Sequence, residues 1–596
     1  MWKLSVAILV AAVICLLSLA AWLAYRASTV KAELQGVVDL VPKLKADLVA
    51  NEPDQAAATT SSMREKTQLA RSAVSDPMWT LASTVPWVGP NFSAVGEMAR
   101  TADDVVGLGL EPIVGLATTL NWDRLVPSSA GADLAALESV SPTATNAAYA
   151  VQTSAERLKA IDASRLLPEI SEPLVASRAE LSSITGALTA SADAARLLPE
   201  MLGSQETRHY LLMIQNNAEA RASGGIPGAL AALTIEKGKL SLGAQSSAGD
   251  LGIMAPVLPV NPQQEQIFST RLGKYMQDVN LTPDFPTAAS TAQRMWERKT
   301  GQRVDGVLSV DPVVLSYILR ATGPVSVTGP ELQQVKALGL PVQLTGNNVV
   351  QTLLSDVYAK IEQPKLQDAY FAGVAREIFS ALSNGKAEAK GLVSGLSQGA
   401  QEGRVLVWSS KSKEQSIIER YQVGGSVTGP SVPPAQFGVY FNDGTGAKMD
   451  YYVKRSVQLV KQCEKDGYEH TLVRVVSTNT APANAATSLP AYVTGDGNFG
   501  VPAGSVQTNV LVYGPAQAMI ETTDLDGQRV PFASHFHATR PVGIYAVTLA
   551  PGESKILEFS FGRIVQHMEP NVVVTPSVQP IQDVILPTES TACSQQ

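Results

Sequence analysis

The sequence predicts a multidomain protein with a single N-terminal transmembrane helix, an α-helical membrane-proximal region, an α/β sandwich and a C-terminal all-β sandwich. Three features predict this division. A long uncharged stretch opens the chain, apolar residues then recur at helical spacing, and strand-like alternation replaces helical spacing after Leu406. We place the domain boundaries at residues 1–28, 29–205, 206–405, 406–423 (a linker or edge strands) and 424–596.

The first element, residues 4–25 (Leu4 to Tyr25), carries no charge and has the length of a bilayer-spanning helix. Lys3 precedes it and Arg26 and Lys31 follow it, so the flanking charges do not fix its orientation. A cleaved signal peptide is the alternative, but no small-residue cleavage site stands out. We expect a single-pass plasma-membrane protein with a cytoplasmic N-terminus and an extracytoplasmic bulk.

The helical region, 29–205, is rich in alanine and leucine. A polar linker is expected from Asp54 to Ser62. Trp79 and Trp87 are expected to anchor the core between helices, with a ligand cage as the alternative. Prolines are expected to divide the region into short helices. These are Pro77, Pro86, Pro90, Pro112, Pro127, Pro142, Pro168 and Pro173.

Short strands alternate with helices after residue 205, which indicates an α/β domain. A hairpin is expected at Lys237-Gly238, and an amphipathic helix is expected to end at Gly301. The candidate binding site is the polar segment after the first strand, interpreted as a loop between two strands. Its members are Gln215, Asn216, Asn217, Glu219, Arg221, Gly224 and Gly225. Such groups beside glycines suit a ligand crevice, but they could equally cap one another over a tight turn.

In the β region, Asp443 to Asp450 is interpreted as a hairpin turn, because it lacks the ordered acidic positions of a calcium loop. His535 and His537 have a spacing that can hold a metal ion, with His567 or Glu569 as further ligands. A lone His-x-His is a weak signal, so a pair without metal is favoured.

Two cysteines lie outside the apolar N-terminal stretch, Cys463 and Cys593. They are too few for a metal site with four cysteine ligands, and a disulfide is their natural pairing. Two free thiols are the alternative. The charge composition excludes nucleic acid as a partner: 46 lysines and arginines stand against 54 aspartates and glutamates, and no basic tract occurs.

Several segments together resemble an uncharacterised family of Gram-positive, mostly actinobacterial, envelope proteins known as domain of unknown function 4012. The matching segments are DPMWTLASTVPWVG, YLLMIQNNAEARASGGIPG, TPDFPTAASTAQRMW, VDGVLSVDPVVLSYILRATGPV and YYVKRSVQLV. The resemblance implies a location in the cell envelope and no mechanism.

The α/β domain more distantly resembles the LytR-CpsA-Psr ligases, which move glycopolymers from a polyprenyl pyrophosphate carrier onto peptidoglycan. The order of strand, hairpin, Asp-bearing loop and strand-helix unit is similar. The resemblance implies catalytic roles for Arg221 and Asp250, with Asp250 as a Mg²⁺ ligand. Ser355 and Asp356 stand where that family has paired arginines, so the cations needed to hold a pyrophosphate are few.

Two functions therefore remain. The favoured one is a binding or assembly protein of the envelope without catalysis or cofactor, whose partner is a cell-wall polymer, a polyprenyl-linked lipid or an envelope protein. The alternative is a Mg²⁺-dependent glycopolymer phosphotransferase that uses Asp250 and Arg221, with Glu219 as base.

Overall fold

A computed structural model describes residues 2–50, 52–126, 131–328, 332–385 and 387–593. The chain forms two compact units. The first comprises residues up to Asn121 together with Asp133–Met201, and the second comprises Trp122–Ala132 and all residues from Leu202. Each unit is described by itself. The boundaries at residues 28 and 424 that the sequence suggests stay predictions.

The first unit is helical, as expected. Its helices are α1 (Trp2–Val49), α2 (Pro53–Val74), α3 (Pro77–Ser83), α4 (Gly89–Asp104), α5 (Glu111–Thr119), α6 (Leu134–Lys159) and α7 (Pro168–Met201), with a π-helical turn, Val105–Leu110, between α4 and α5. Among the described residues, α1 is long and apolar enough to cross a membrane. It continues without a break from the uncharged stretch into the region that packs against α2.

Three expectations for this unit are wrong. The segment from Asp54 to Ser62 is not a linker but part of α2, because Thr59 and Thr60 are buried and Thr59 donates a hydrogen bond to Asp47. The prolines at 142 and 173 lie inside α6 and α7 rather than between helices. Trp79 is a core anchor, only 2% exposed, whereas Trp87 is 92% exposed. Pro127 lies outside the described residues.

The second unit begins with a mixed sheet of strand order β3-β2-β1-β4-β7, in which β1 and β4 are parallel and the other neighbours antiparallel. Its strands are β1 (Arg208–Arg221), β2 (Gly224–Glu236), β3 (Lys239–Ser247), β4 (Gly306–Val310) and β7 (Leu406–Ser409). The hairpin at Lys237-Gly238 is confirmed, since both residues have positive φ, 50° and 74°. The segment 406–423 begins with β7, which is an edge strand of this sheet.

Helices and a small two-stranded sheet surround this mixed sheet. They are α8 (Pro262–Phe268), α9 (Phe285–Thr300), α10 (Pro312–Thr322), β5 (Val325–Ser326), α11 (Leu332–Ala337), β6 (Gln343–Leu344), α12 (Val349–Gln351), α13 (Val357–Lys360), α14 (Pro364–Ser383), α15 (Ala389–Gln401) and α16 (Ser412–Ile418). Gly301 caps α9 in the left-handed conformation, as predicted.

The alternation along β1 explains how the mixed sheet is covered. Leu211 and Met213 share a core with α9 residues such as Trp296. Leu212 and Ile214 point to the other face, because successive side chains of a strand alternate, and they line a cavity there.

The rest of the chain forms two sheets with the strand orders β13-β12-β16-β10-β9-β18 and β14-β15-β11-β8-β17. Their strands and short helices are β8 (Gln436–Asp443), β9 (Val453–Lys465), β10 (Tyr468–Asn479), α17 (Ala485–Ser488), α18 (Ala491–Thr494), β11 (Val506–Tyr513), β12 (Met519–Leu525), β13 (Gln528–Arg529), β14 (Ala533–His537), β15 (Arg540–Leu549), β16 (Ser554–Ile564), β17 (Asn571–Val574), α19 (Ile581–Val584) and β18 (Glu589–Ser590).

One hydrophobic cluster contains side chains from both sheets, including Phe437 of β8 and Phe559 of β16. The cluster also contains Ala220 of β1 and Tyr358 of α13, so the core of this region extends to the mixed sheet. Strand β18 runs beside β9, and a disulfide joins Cys463 of β9 to Cys593.

The segment between β8 and β9 is not the hairpin turn that the sequence suggested. β8 pairs with β11 and β17, whereas β9 pairs with β10 and β18. The segment from Asp443 to Asp450 therefore crosses from one sheet to the other. Local turn residues cannot distinguish such a crossing from a hairpin, because the difference lies in which strands pair.

Candidate functional site

The polar segment singled out in the sequence lies in a strand and not in a loop. β1 continues to Arg221. Its register with β2 shifts between Ile214 and Gln215 and again between Asn216 and Ala220, which makes the polar residues a β-bulge. The expected order of strand, loop and strand is therefore corrected, because pairing with β2 resumes beyond the bulge.

The two glycines after the bulge allow β2 to approach it closely. A Cβ atom on Gly225 would lie 2.1 Å from the carbonyl oxygen of Asn216, and one on Gly224 would lie 2.4 Å from the side-chain oxygen of Gln215. Internal packing of the hairpin accounts for both glycines.

The three amides of the bulge hold it to distant segments of the chain. Gln215 donates to the hydroxyl oxygen of Ser309 at 2.6 Å and accepts from the amide of Gly225 at 2.7 Å. Asn216 donates to the hydroxyl oxygen of Tyr358 at 2.8 Å. Asn217 donates to the carboxylate of Asp311, at 3.3 Å, and its own side-chain oxygen is buried without a partner. The amides thus serve the fold, with one acceptor left over.

Glu219 forms a buried ion pair with Lys448, in the segment that crosses between the β sheets. The Lys448 ammonium lies 5.2 Å and 5.0 Å from the ring centres of Tyr358 and Tyr492. Burial lowers the pKa of Lys448 to about 7. Sequence reasoning missed this lysine. Its only signal was a cation within an uncharged run, and its partner lies more than two hundred positions away.

Arg221 is only 7% exposed, and its polar contacts are with other residues of the protein. Its guanidinium donates to the carbonyl oxygens of Gln277, at 3.3 Å, and Ala220, at 3.0 Å, and lies 3.5 Å from the carboxylate of Asp278. Arg271 pairs with the same carboxylate at 2.8 Å.

Arg221 borders a cavity of about 600 Å³, named here the arginine cavity. Its lining residues include Arg221, Phe268, Arg271, Asp278, Asn442, Asp443, Phe499, Asn509 and Ile544. Burial raises the pKa of Asp443 to about 6, and the nearby charge of Asp450 adds to this effect. Two guanidiniums and two carboxyl groups therefore line this cavity, and Asp278 pairs with both guanidiniums.

A second cavity, of about 500 Å³, lies between the mixed sheet and α14 and is named here the apolar cavity. The sheet contributes Leu212, Ile214, Ala229, Ala231, Leu233, Leu240 and Leu242. From α14 come Phe371, Val374, Ala375, Ile378, Phe379 and Leu382, which recur every three or four residues and so share one face of the helix. Most of the wall is hydrocarbon.

Polar groups of the apolar cavity include the bulge residues Gln215, Asn216 and Glu219, and with them Lys448 and Asp368. The pKa of Asp368 is raised by burial and by the charge of Asp250. Asp250 itself is exposed and accepts a hydrogen bond from the amide of Ser247 at 3.1 Å.

The two residues of the transferase hypothesis belong to different surroundings. Arg221 lines the arginine cavity, whereas Asp250 follows Gly249, which lines the apolar cavity. No hydrogen bond or ion pair between described residues joins them. The bulge separates the two environments, since Glu219 lines one cavity and Arg221 the other.

The two histidines of the pair differ in burial, and His535 is half-buried. His537 is buried, and its Nδ1 lies 3.0 Å from the Tyr513 hydroxyl. Within the described ranges, the carboxylate and imidazole groups spaced closely enough for a metal are Glu464, Glu469 and His567. Neither His535 nor Asp250 belongs to that group.

Residues 205–358 match the model of a protein family of unknown function, DUF4012. The match runs from just before β1 into α13 and includes the bulge, which supports the family resemblance given by the sequence. No curated protein and no solved structure matches the chain. The resemblance to the LytR-CpsA-Psr ligases stays an expectation.

Proposed function

We propose that this protein is a membrane-anchored protein of the cell envelope that holds the apolar chain of a lipid-like ligand without transforming it. The observation that carries the proposal is the apolar cavity. Most of its lining side chains are hydrocarbon, and a few hydrogen-bonding and charged side chains lie among them. A polyprenyl-linked precursor of a cell-wall polymer has the matching chemistry, an apolar chain with a polar head.

The shape of the wall favours a chain over a compact ligand. Apolar residues of α14 cover several turns, from Phe371 to Leu382, and face a sheet that contributes apolar side chains from three neighbouring strands. At about 30 Å³ per methylene-sized group, similar to the volume of a water molecule, 500 Å³ holds on the order of 15 carbon atoms. Burying each methylene contributes about 0.8 kcal/mol.

The polar cluster suits a head that both donates and accepts hydrogen bonds. Lys448 can donate, while Glu219 and Asp368 can accept. Lys448 is already paired with Glu219. A ligand head that inserts between them would break this ion pair and form one contact with each of the two side chains.

The Mg²⁺-dependent transferase is less well supported, because the Arg221 guanidinium already donates hydrogen bonds to the carbonyl oxygens of Gln277 and Ala220 and pairs with Asp278. A pyrophosphate that bound there would have to displace these partners. In that hypothesis Asp250 would bind Mg²⁺, and the carboxylate near it is that of Asp368.

The proposal also covers location and architecture. The disulfide between Cys463 and Cys593 favours an oxidising compartment, and α1 is a candidate single-pass anchor, so we propose an extracytoplasmic bulk. We also keep the α/β sandwich and the β-sandwich as the proposed fold types of the second unit.

The test is binding of a fluorescent polyprenyl phosphate to the detergent-solubilised full chain, followed by anisotropy. Ala375→Leu adds a branched side chain to the cavity wall and is expected to weaken binding at least tenfold. Ala372→Leu, on the same helix but not lining the cavity, is the matched control and should bind as the wild type does.

Equal affinities of the two variants, or no binding by the wild type, would contradict the proposal. Mg²⁺-stimulated release of the phosphate head that is lost in Asp250→Asn would instead favour the transferase.

A further inference from the structure

An uncharged segment of the first unit exposes several large apolar side chains. Residues 77–88, PMWTLASTVPWV, comprise α3 and the turn that follows, and none of these side chains carries a charge. The largest exposed side chains of this 77–88 patch are apolar: Met78 42%, Leu81 56%, Val85 44%, Trp87 92% and Val88 47% exposed. Large exposed apolar side chains grouped in one short segment are typical of an interaction site.

Hydrogen bonds fix where the patch lies along α1. The carboxylate of Asp76 caps α3 by accepting from the amide of Met78 at 2.8 Å. Its other oxygen accepts from the indole nitrogen of Trp22 and from the guanidinium of Arg26, each at 3.2 Å. Trp22 and Arg26 stand at the end of the uncharged stretch. The patch therefore begins at the level where α1 is expected to leave the hydrocarbon.

The two tryptophans of the patch differ in burial. Trp79 is buried and donates to the carbonyl oxygen of Phe92 at 3.0 Å, which fastens α3 to the core. Trp87 has a positive φ of 65°, a conformation that non-glycine residues seldom adopt, and its side chain is almost fully exposed. Strained backbone that exposes a large apolar side chain is typical of functional positions.

We propose that the 77–88 patch lies in the headgroup region of the bilayer that α1 crosses and forms a second membrane contact. Tryptophan is enriched at membrane interfaces, and an uncharged segment avoids the cost of burying charge there. The Asp76 carboxylate is the nearest charge in sequence, and it is paired with Arg26. This inference rests on the membrane anchor of the proposed function and extends it to a contact that restricts the tilt of the helical unit.

The test is nitroxide labelling of the full chain in lipid nanodiscs. Cys15 is the free cysteine of the described residues, so Trp87→Cys and Tyr149→Cys are made in a Cys15→Ser background. Tyr149, 71% exposed on α6, is the matched exposed aromatic control. We expect the ratio of oxygen to nickel-chelate accessibility to be several-fold higher at position 87 than at position 149. Leu81→Cys provides a second site in the patch should Trp87→Cys fail to fold.

A label on native Cys15 separates the two ways to fail. Lipid protection at Cys15 with water-like accessibility at positions 87 and 81 would overturn the second contact and leave the anchor standing. Water-like accessibility at Cys15 would remove the anchor and the inference together. Spin–spin broadening between labels at position 87 would assign the patch to contact between two copies of the chain and would also overturn the inference.

Discussion

Arg221 has internal partners on several sides, and this decides what its removal should do. Arg221→Ala leaves the carbonyl oxygen of Gln277 and the carboxylate of Asp278 with fewer partners in a buried setting. We expect a loss of about 1–3 kcal/mol in the free energy of unfolding. The control is Arg271→Ala, whose side chain is 59% exposed and pairs with the same carboxylate, and we expect it to cost less. If Arg221→Ala kept its melting temperature but lost ligand binding, the result would contradict this structural role and indicate that Arg221 contacts the ligand.

Lys448 predicts a pH dependence of stability. Burial lowers its pKa from the ordinary 10.5 to about 7. Between these values the unfolded chain binds a proton that the folded protein does not, so the free energy of unfolding rises with pH, by at most about 1.4 kcal/mol per unit. The rise should begin at about pH 7 and disappear in the double variant Lys448→Met, Glu219→Gln. Urea unfolding of the wild type and the double variant at several pH values measures this rise. The prediction is wrong if the free energy of unfolding changes with pH equally in the two proteins.

The residues of the bulge show what the sequence could and could not predict at this scale. The cluster of amides and charges after the apolar run of β1 was visible, and it borders both cavities. The partners were not visible, because Ser309, Tyr358 and Lys448 come from segments brought together only by the fold. The sequence therefore singled out these residues as one group, whereas in the structure they border two separate cavities.

At the scale of elements, the hairpin of β1 and β2 depends on close backbone approach at Gly225. Gly225→Ala would place a Cβ atom 2.1 Å from the Asn216 carbonyl oxygen, so the strands must separate. We expect a loss of about 1–3 kcal/mol, as in overpacked cores. Gly228→Ala on the same strand is the matched control, because its nearest neighbour would be 3.7 Å away, and it should leave the melting temperature unchanged. Equal melting temperatures for the two variants would mean that the bulge yields easily.

Element types were easier to predict than element ends and connections. Periodicity identified α9, α10 and α14, which each bury one face. Polarity misled at the start of α2, where Thr59 is buried because Asp47 and Lys43 satisfy its hydroxyl group. A local pattern cannot reveal that a polar side chain will have a buried partner.

At the scale of the whole molecule, the β region and the mixed sheet share buried contacts. The amide of Ala220 donates to Asp450, the amide of Ala222 donates to Asn442, and Thr575 donates to the carbonyl oxygen of Ala222. The change from helical to strand periodicity after Leu406 accompanies a change from the mixed sheet to two β sheets. It does not by itself mark the limit of a core, because Ala220 and Tyr358 belong to the same cluster as the β residues.

These contacts make the stability of the isolated β region a decisive measurement. A fragment of residues 424–596 keeps both β sheets and most of their common core, so we expect a cooperative melt. It also loses the partners of Asn442, Asp450 and Thr575, so it should melt below a fragment of residues 202–596, in which these contacts persist. Circular dichroism melts of both fragments supply the comparison. A dye-binding product without a cooperative transition would show that the β region depends on β1 for folding, and equal melting temperatures would show that the shared contacts contribute nothing.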